Sequence, residues 1–237
     1  MGKVLAMILR GKAGAALAAL VIVAVAGCAG DGAKRGKVAL GGGLLSGAVG
    51  TLVNERRGAG PAQDPGQLAA AALKSLPGPV MLAQIGPGAG YTVLGLYGEN
   101  GDRRTYATPG EQAMVFRNGI LVATRGYGND LMSADPGAAG QLVRSRSAGS
   151  AERIWRYLDG NNVERPLRMN CAVQPGGTQA AQLGGRAVTV RQMNETCATG
   201  PLKIDNTYLV TDAGLILASR QWIGPGLGHV SLQVLRP

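Results

Sequence analysis

Three cysteines, one histidine and a dense set of arginines are the residues best able to do chemistry in this 237-residue chain. Cys28 closes the stretch Val25-Ala26-Gly27-Cys28, a branched apolar residue, two small residues and a thiol. That order is a lipobox. The small residues let a peptidase approach the backbone, the sulfur takes a diacylglycerol, and cleavage leaves the acylated cysteine as the mature N-terminus. Lys3, Arg10 and Lys12 come first, followed by an uncharged run from Ala13 to Gly27, the order of a secretory signal. At about 15 residues the run is short for a bilayer span, which needs about 20. An uncleaved membrane anchor and an ordinary signal peptide with a chance cysteine are the competing readings. Ala29, rather than the Asp that marks inner-membrane retention in enteric-type bacteria, follows Cys28. That points to the outer membrane and its periplasmic face.

With Cys28 taken by lipid, Cys171 and Cys197 are left as a pair with 25 residues between them. An exported chain meets an oxidising compartment, so a disulfide is the default. In the chain-entropy account such a loop stabilises by about 3–4 kcal/mol. The sequence has no CxxC, and its only histidine, His229, is far from the cysteines and on the polar side of its strand. Neither a metal site nor a cofactor is expected. No Ser/His/Asp set stands out, and Asp130, Asp135, Asp159 and Asp205 fall near turns, where Asp caps backbone. Gly86 to Gly90 is glycine-rich but precedes a strand and has no following Lys, so it is no phosphate loop. These absences favour a protein that is not an enzyme.

Arg117, Arg125, Arg144, Arg146, Arg153, Arg156 and Arg165 make the middle of the chain basic. The guanidinium fork suits carboxylates. Trp155 and Trp222 either add flat faces for an acidic sugar polymer or lie in the core beneath surface arginines. Without residues 1–27 the chain has 210 residues, 21 basic and 14 acidic, a net charge of +7. That balance favours acidic polysaccharide, lipid headgroups or nucleic acid as partners. Export argues against nucleic acid, and a merely solvated basic surface explains the same charge.

The elements that must position these residues read mostly as strands. Gly is abundant, at 39 residues, and aromatics make up 4%, which suits many short strands better than a helical bundle. Residues 1–27 read as signal peptide, 28–66 as lipidated cysteine and Gly-rich tether, and 67–237 as one β domain. Within the tether, Val38 to Asn54 carries Gly43 and Gly47 at GxxxG spacing, which permits close helix approach, but a flexible or membrane-skimming linker accounts for it better. Asp64-Pro65 opens a helix that Leu76-Pro77-Gly78-Pro79 stops; Leu68, Ala72 and Leu76 share one face. From Val80 onward, short apolar runs alternate with turn residues. Gly98 to Asp102, Asn118-Gly119, Asp159 to Asn162 and Asp212 to Gly214 mark hairpins. Gly126 to Gly140 reads as a connection with a helical turn near Asp130-Leu131, and Leu142 to Ser147 as a strand. The expected fold is mainly β, one curved, largely antiparallel, partly barrel-like sheet with one short N-terminal helix.

Gly119-Ile-Leu-Val-Ala-Thr-Arg-Gly-Tyr-Gly-Asn-Asp-Leu131 resembles the G-x-x-x-x-T-x-G-x-x-x-D-L signature of the YjbF/GfcB lipoprotein family. Asn206, Tyr208, Asp212, Gly214 and the run Ser219 to Pro225 agree with its C-terminal pattern, and its cysteine pair is placed like Cys171 and Cys197. Leu209, where an aromatic residue is expected, and the Val38–Asn54 run depart from the pattern. The similarity covers Leu68 to Pro237. It implies an outer-membrane lipoprotein encoded with exopolysaccharide or group 4 capsule export machinery, with no catalytic residue to carry over. Thr124, Arg125, Gly126, Asp130 and Leu131 match the signature, either as binding residues or as residues that shape a turn. The expected function is a non-catalytic accessory of polysaccharide export that meets export proteins or an acidic glycan. A carrier holding an acyl chain inside the curved sheet competes with it, and a polysaccharide-acting enzyme comes third. A large apolar cavity would favour the carrier. A cleft with paired carboxylates would favour the enzyme, and a basic, aromatic-bearing outer face the accessory.

Overall fold

The computed structural model of the chain describes residues 64–86 and 89–237. The signal segment, Cys28 and the Val38–Asn54 run lie outside the described residues. Helix α1 spans Pro65–Ser75, with Asp64 as N-cap accepting a bond from Gly66 N at 2.8 Å. A cap of this kind is worth about 1 kcal/mol. At the other end Arg236 donates to three carbonyls, those of Leu73, Leu76 and Gly78, at 2.7–2.9 Å. It thereby satisfies acceptors that a helix C-terminus leaves open and places a cation on the negative end of the helix dipole. Leu68, Ala72 and Leu76 bury themselves against Val80, Leu82, Val93 and Leu235, so α1 covers one outer patch of the sheet.

The strands are β1 (Val80–Ile85), β2 (Thr92–Asn100), β3 (Arg103–Ala107), β4 (Ala113–Arg117), β5 (Ile120–Arg125) and β6 (Ser133–Asp135), then β7 (Gly149–Leu158), β8 (Glu164–Leu183), β9 (Arg186–Thr199), β10 (Leu202–Thr211), β11 (Ile216–Gly224) and β12 (Gly228–Arg236). They form one twelve-stranded sheet in the order β5-β4-β3-β2-β1-β12-β11-β10-β9-β8-β7-β6, and every pairing is antiparallel. Two meanders, β1–β5 and β6–β12, thus join at the β1·β12 pair. Their far edges, β5 and β6, approach each other, and the sheet is a nearly closed barrel. The mainly β, antiparallel, barrel-like fold is as the sequence pattern leads one to expect. The main core lies on the inner face, where Leu94, Met114, Trp155, Met193, Tyr208 and Val230 are fully buried. Asn118 and Gly119 both take positive φ, 52° and 84°, as a two-residue turn with the right twist requires.

The Leu142–Ser147 strand is not there. Those residues belong to a second helix, α2 (Gly137–Ser145), and its end, with Arg146 in a left-handed cap. Ala139 and Val143, four apart, face the core and decide for helix. No helical turn forms at Asp130-Leu131; the connection instead contains the short β6. α2 packs on β7 to β10 and is tied to the β10–β11 turn by Arg144 Nε donating to Gly214 O and by an Arg146–Asp212 ion pair. The β8–β9 hairpin is much longer than its apolar runs suggest. Beyond a register shift between Pro175 and Thr178 its residues are mostly exposed on both faces, and β8 comes back into contact with β12.

Candidate functional site

The signature residues gather at the seam between β5 and β6. Thr124 sits on β5 with its hydroxyl buried; Oγ1 donates to Asp130 Oδ1 at 2.7 Å and accepts from Leu131 N at 2.9 Å. Thr124 N donates to Leu131 O at 3.0 Å. Asp130 also accepts from Gly126 N at 2.9 Å and Tyr127 N at 3.3 Å. Arg125 donates to the carbonyls of Thr124, Leu131 and Met132. Gly126 has φ +82°, and a Cβ there would stand 2.9 Å from Glu111 O, so only glycine fits. Leu131 is fully buried. Each of the five is engaged in bonds or packing of the fold, Thr124 and Leu131 buried and Arg125 and Gly126 at the surface, where side chains close a gap that no backbone ladder spans.

The C-terminal pattern reaches the same edge. Gln221 on β11 accepts from Leu121 N at 2.9 Å and donates to Gly119 O at 3.1 Å, pairing backbone groups that an edge strand leaves open. Asp130→Ala should unfold more easily by about 1–3 kcal/mol, because three donors lose a buried or half-buried acceptor. Urea denaturation measures the loss, and amide exchange should quicken first at Gly126 and Tyr127.

A polar cluster that the sequence reading did not anticipate lies in the core. Arg153 NH1 donates to Glu195 Oε2 at 2.7 Å, Tyr208 OH donates to the same oxygen at 2.7 Å, and Asn206 Nδ2 at 2.9 Å. Asn206 Oδ1 accepts from Trp222 N. Arg153 is 2% exposed and Glu195 1%, so Arg153 is no part of a basic surface. Burial alone would push its guanidinium down, but Glu195 and Tyr208 outweigh that and hold it above its ordinary value. Burial, then the Glu195 carboxylate, keep the Tyr208 phenol well above its own. Arg153 stacks 4.5 Å from the Trp155 ring centre, and Trp155 meets Trp222 edge to face. Both tryptophans are buried, so they offer no flat outer platform for sugar. Next to the cluster, Cys171 and Cys197 face each other across β8 and β9 and are joined as a disulfide. Their sulfurs and a Glu195 oxygen lie within 4.8 Å of one another, but bonded sulfurs are not thiolate ligands.

Of the other arginines marked in the sequence, Arg117, Arg146, Arg156 and Arg165 sit in ion pairs with Asp102, Asp212, Glu164 and Asp159. The Arg165 guanidinium and the Val163 and Asn161 amides hold the exposed Asp159 below the usual carboxylate range, the Val163 amide most strongly. His229 Nε2 lies 2.9 Å from Asp205 O, and partial burial pulls its pKa down.

Two hollows remain. One is a cavity of about 440 Å³ within the barrel, walled by Met81, Tyr106, Phe116, Ile216, Leu232 and Val234. It opens among the turns at Gly101-Asp102, Asn118-Gly119 and Ala213-Gly214, with Glu99, Arg104 and Arg144 at its mouth. Glu99 pairs with Arg104 and Asp102 with Arg117. The other is an outer groove of about 390 Å³ between the β8–β9 hairpin and the strands β10 to β12. Gln179, Gln192, Arg220, Ser231 and Gln233 line it, with Tyr91 at one side.

Residues 38–235 match the family described as group 4 capsule polysaccharide lipoprotein, GfcB and YjbF. Among solved structures the fold is similar to the hypothetical lipoprotein YmcC from Escherichia coli (K12), at 21% identity and a TM-score of 0.60, covering 72% of this chain and 90% of that one. No curated protein matches the sequence significantly. At that identity the likeness to the solved structure speaks for the fold alone.

Proposed function

We propose a function from one premise: this chain belongs to the family of group 4 capsule polysaccharide lipoproteins. On that premise it acts as a non-catalytic accessory in the export or assembly of an exopolysaccharide or capsule. It is held at the periplasmic face of the outer membrane by lipid on Cys28. The family match over residues 38–235 carries the reading. The lipobox at Val25 to Cys28 supplies the means of anchoring, and the anchor confines the domain so that weak contacts suffice.

The outer groove is the natural place for those contacts. Amide and hydroxyl side chains at Gln179, Gln192, Ser231 and Gln233 can meet sugar hydroxyls. Arg220 can take a sugar carboxylate in a fork, and Tyr91 offers a half-buried ring at its edge. Contacts of this kind to an acidic glycan weaken as salt rises.

Deleting the gene should lower surface polysaccharide and leave precursor synthesis intact. A Cys28→Ala chain exported through a replacement signal should restore little of it. An anchored Arg220→Gln chain should fold normally and rescue partially. Full rescue by the untethered chain, or cleavage of the polymer by the purified domain, would overturn the reading.

A further inference from the structure

The barrel cavity has no part in that scheme, and its chemistry is different. Its walls come from β1, β3, β4, β11 and β12, and Met81, Tyr106, Phe116, Ile216 and Leu232 are each at most 7% exposed. At about 440 Å³ it falls in the range of small-molecule sites, about 300–1,000 Å³. It is far larger than the small voids that packing leaves in a core. An apolar hollow of this size forfeits contacts that larger side chains would make, whereas the other half of the same barrel is filled by Trp155, Trp222, Tyr157 and Tyr208. Ser219, a polar residue on the wall, already accepts from Gln221 Nε2.

The mouth adds a cation. Arg104 and Arg117 are matched by Glu99 and Asp102. Arg144 on α2 donates through Nε to Gly214 O and pairs with no carboxylate among the described residues. An open hollow with apolar walls and a guanidinium among its lining residues suits a ligand with an apolar tail and an anionic head.

We propose that the barrel interior binds one acyl chain, tail among Met81, Phe116 and Leu232, with its carboxylate or phosphate head at Arg144. The site stands independently of the export role, and it shares Ala218, Ser219 and Leu232 with the outer groove.

The test uses the mature chain from residue 28 carrying Cys28→Ala, so that no anchor lipid competes, and the fluorescent fatty acid 11-(dansylamino)undecanoic acid. Saturable one-to-one enhancement of its emission is expected. Palmitate and lysophosphatidylglycerol are then added in separate arms. Displacement by palmitate alone assigns a carboxylate head, and displacement by the lysophospholipid assigns a phosphate head. Displacement by neither overturns the proposal. Leu232→Trp should fill the hollow, keep or raise the melting temperature and abolish saturation; Val234→Phe does the same work if Leu232→Trp fails to fold. Arg144→Gln should weaken the anionic probe about tenfold, the equivalent of one charge-assisted hydrogen bond. It should leave the uncharged methyl ester of the probe bound as before. Absence of saturable binding, or fillers that bind like the parent chain, would sink the idea.

Discussion

Glu195→Ala is expected to lower the unfolding free energy by about 3–5 kcal/mol, since it strands a buried cation. Arg153 is 2% exposed, and its carboxylate partner lies on the neighbouring side of the barrel core. Removing Glu195 also takes the common acceptor from Tyr208 OH and Asn206 Nδ2. The pair itself is a poor source of stability, because the desolvation of both charges offsets their attraction. Arg153 Nε, Trp155 Nε1 and Glu195 Oε1 are buried without a protein partner, which weakens the account further. A double Arg153→Met, Glu195→Leu chain should therefore recover most of what Glu195→Ala loses. Urea unfolding of the three chains decides the matter: a double variant as unstable as the single one would show that the charge pair contributes net stability.

Replacing both Cys171 and Cys197 by Ser should cost about 3–4 kcal/mol, the loop-closure entropy returned to the unfolded chain. The bond joins directly opposed residues of β8 and β9, 26 apart in sequence. Reductant should lower the denaturation midpoint of the parent chain and leave the double-Ser chain unmoved. Free-thiol labelling of the native chain without reductant should find neither Cys171 nor Cys197; stoichiometric labelling of both would reject the bond. Because a Glu195 oxygen lies within 4.8 Å of the bonded sulfurs, its loss and theirs should not add.

Hairpins were legible because their determinants are local. Asn118-Gly119 and Asp159 to Asn162 name their own turn geometry, and Asp64-Pro65 names a helix start. The cluster around Glu195 was not read, because a charge in a strand is usually solvated. Yet Met193, Glu195 and Cys197 alternate in register, as do Arg153, Trp155 and Tyr157, and each charge falls on the apolar parity. That parity is the signal that could have found them. The signature at the β5–β6 seam was legible as a turn because its bonds, such as Thr124 with Asp130, are local, whereas the bracing of β5 by Gln221 was not, since Gln221 meets Gly119 and Leu121 across about a hundred residues. The Leu142–Ser147 error has a similar root: alternating Arg and Ser imitate a strand, and only the packing of Ala139 and Val143 onto distant strands shows a helix.

The pairing of β1 with β12 ties one end of the domain to the other. A chain delivered N-terminus first, through any pore, presents β1 to β5 long before β12 arrives. Until Arg236 has passed, β1 lacks one of its two neighbours and α1 lacks the cation that closes its last turn. Loop closure over such a distance is slow. The topology thus delays closure of the sheet, though not its local hairpins, until the whole polypeptide is through.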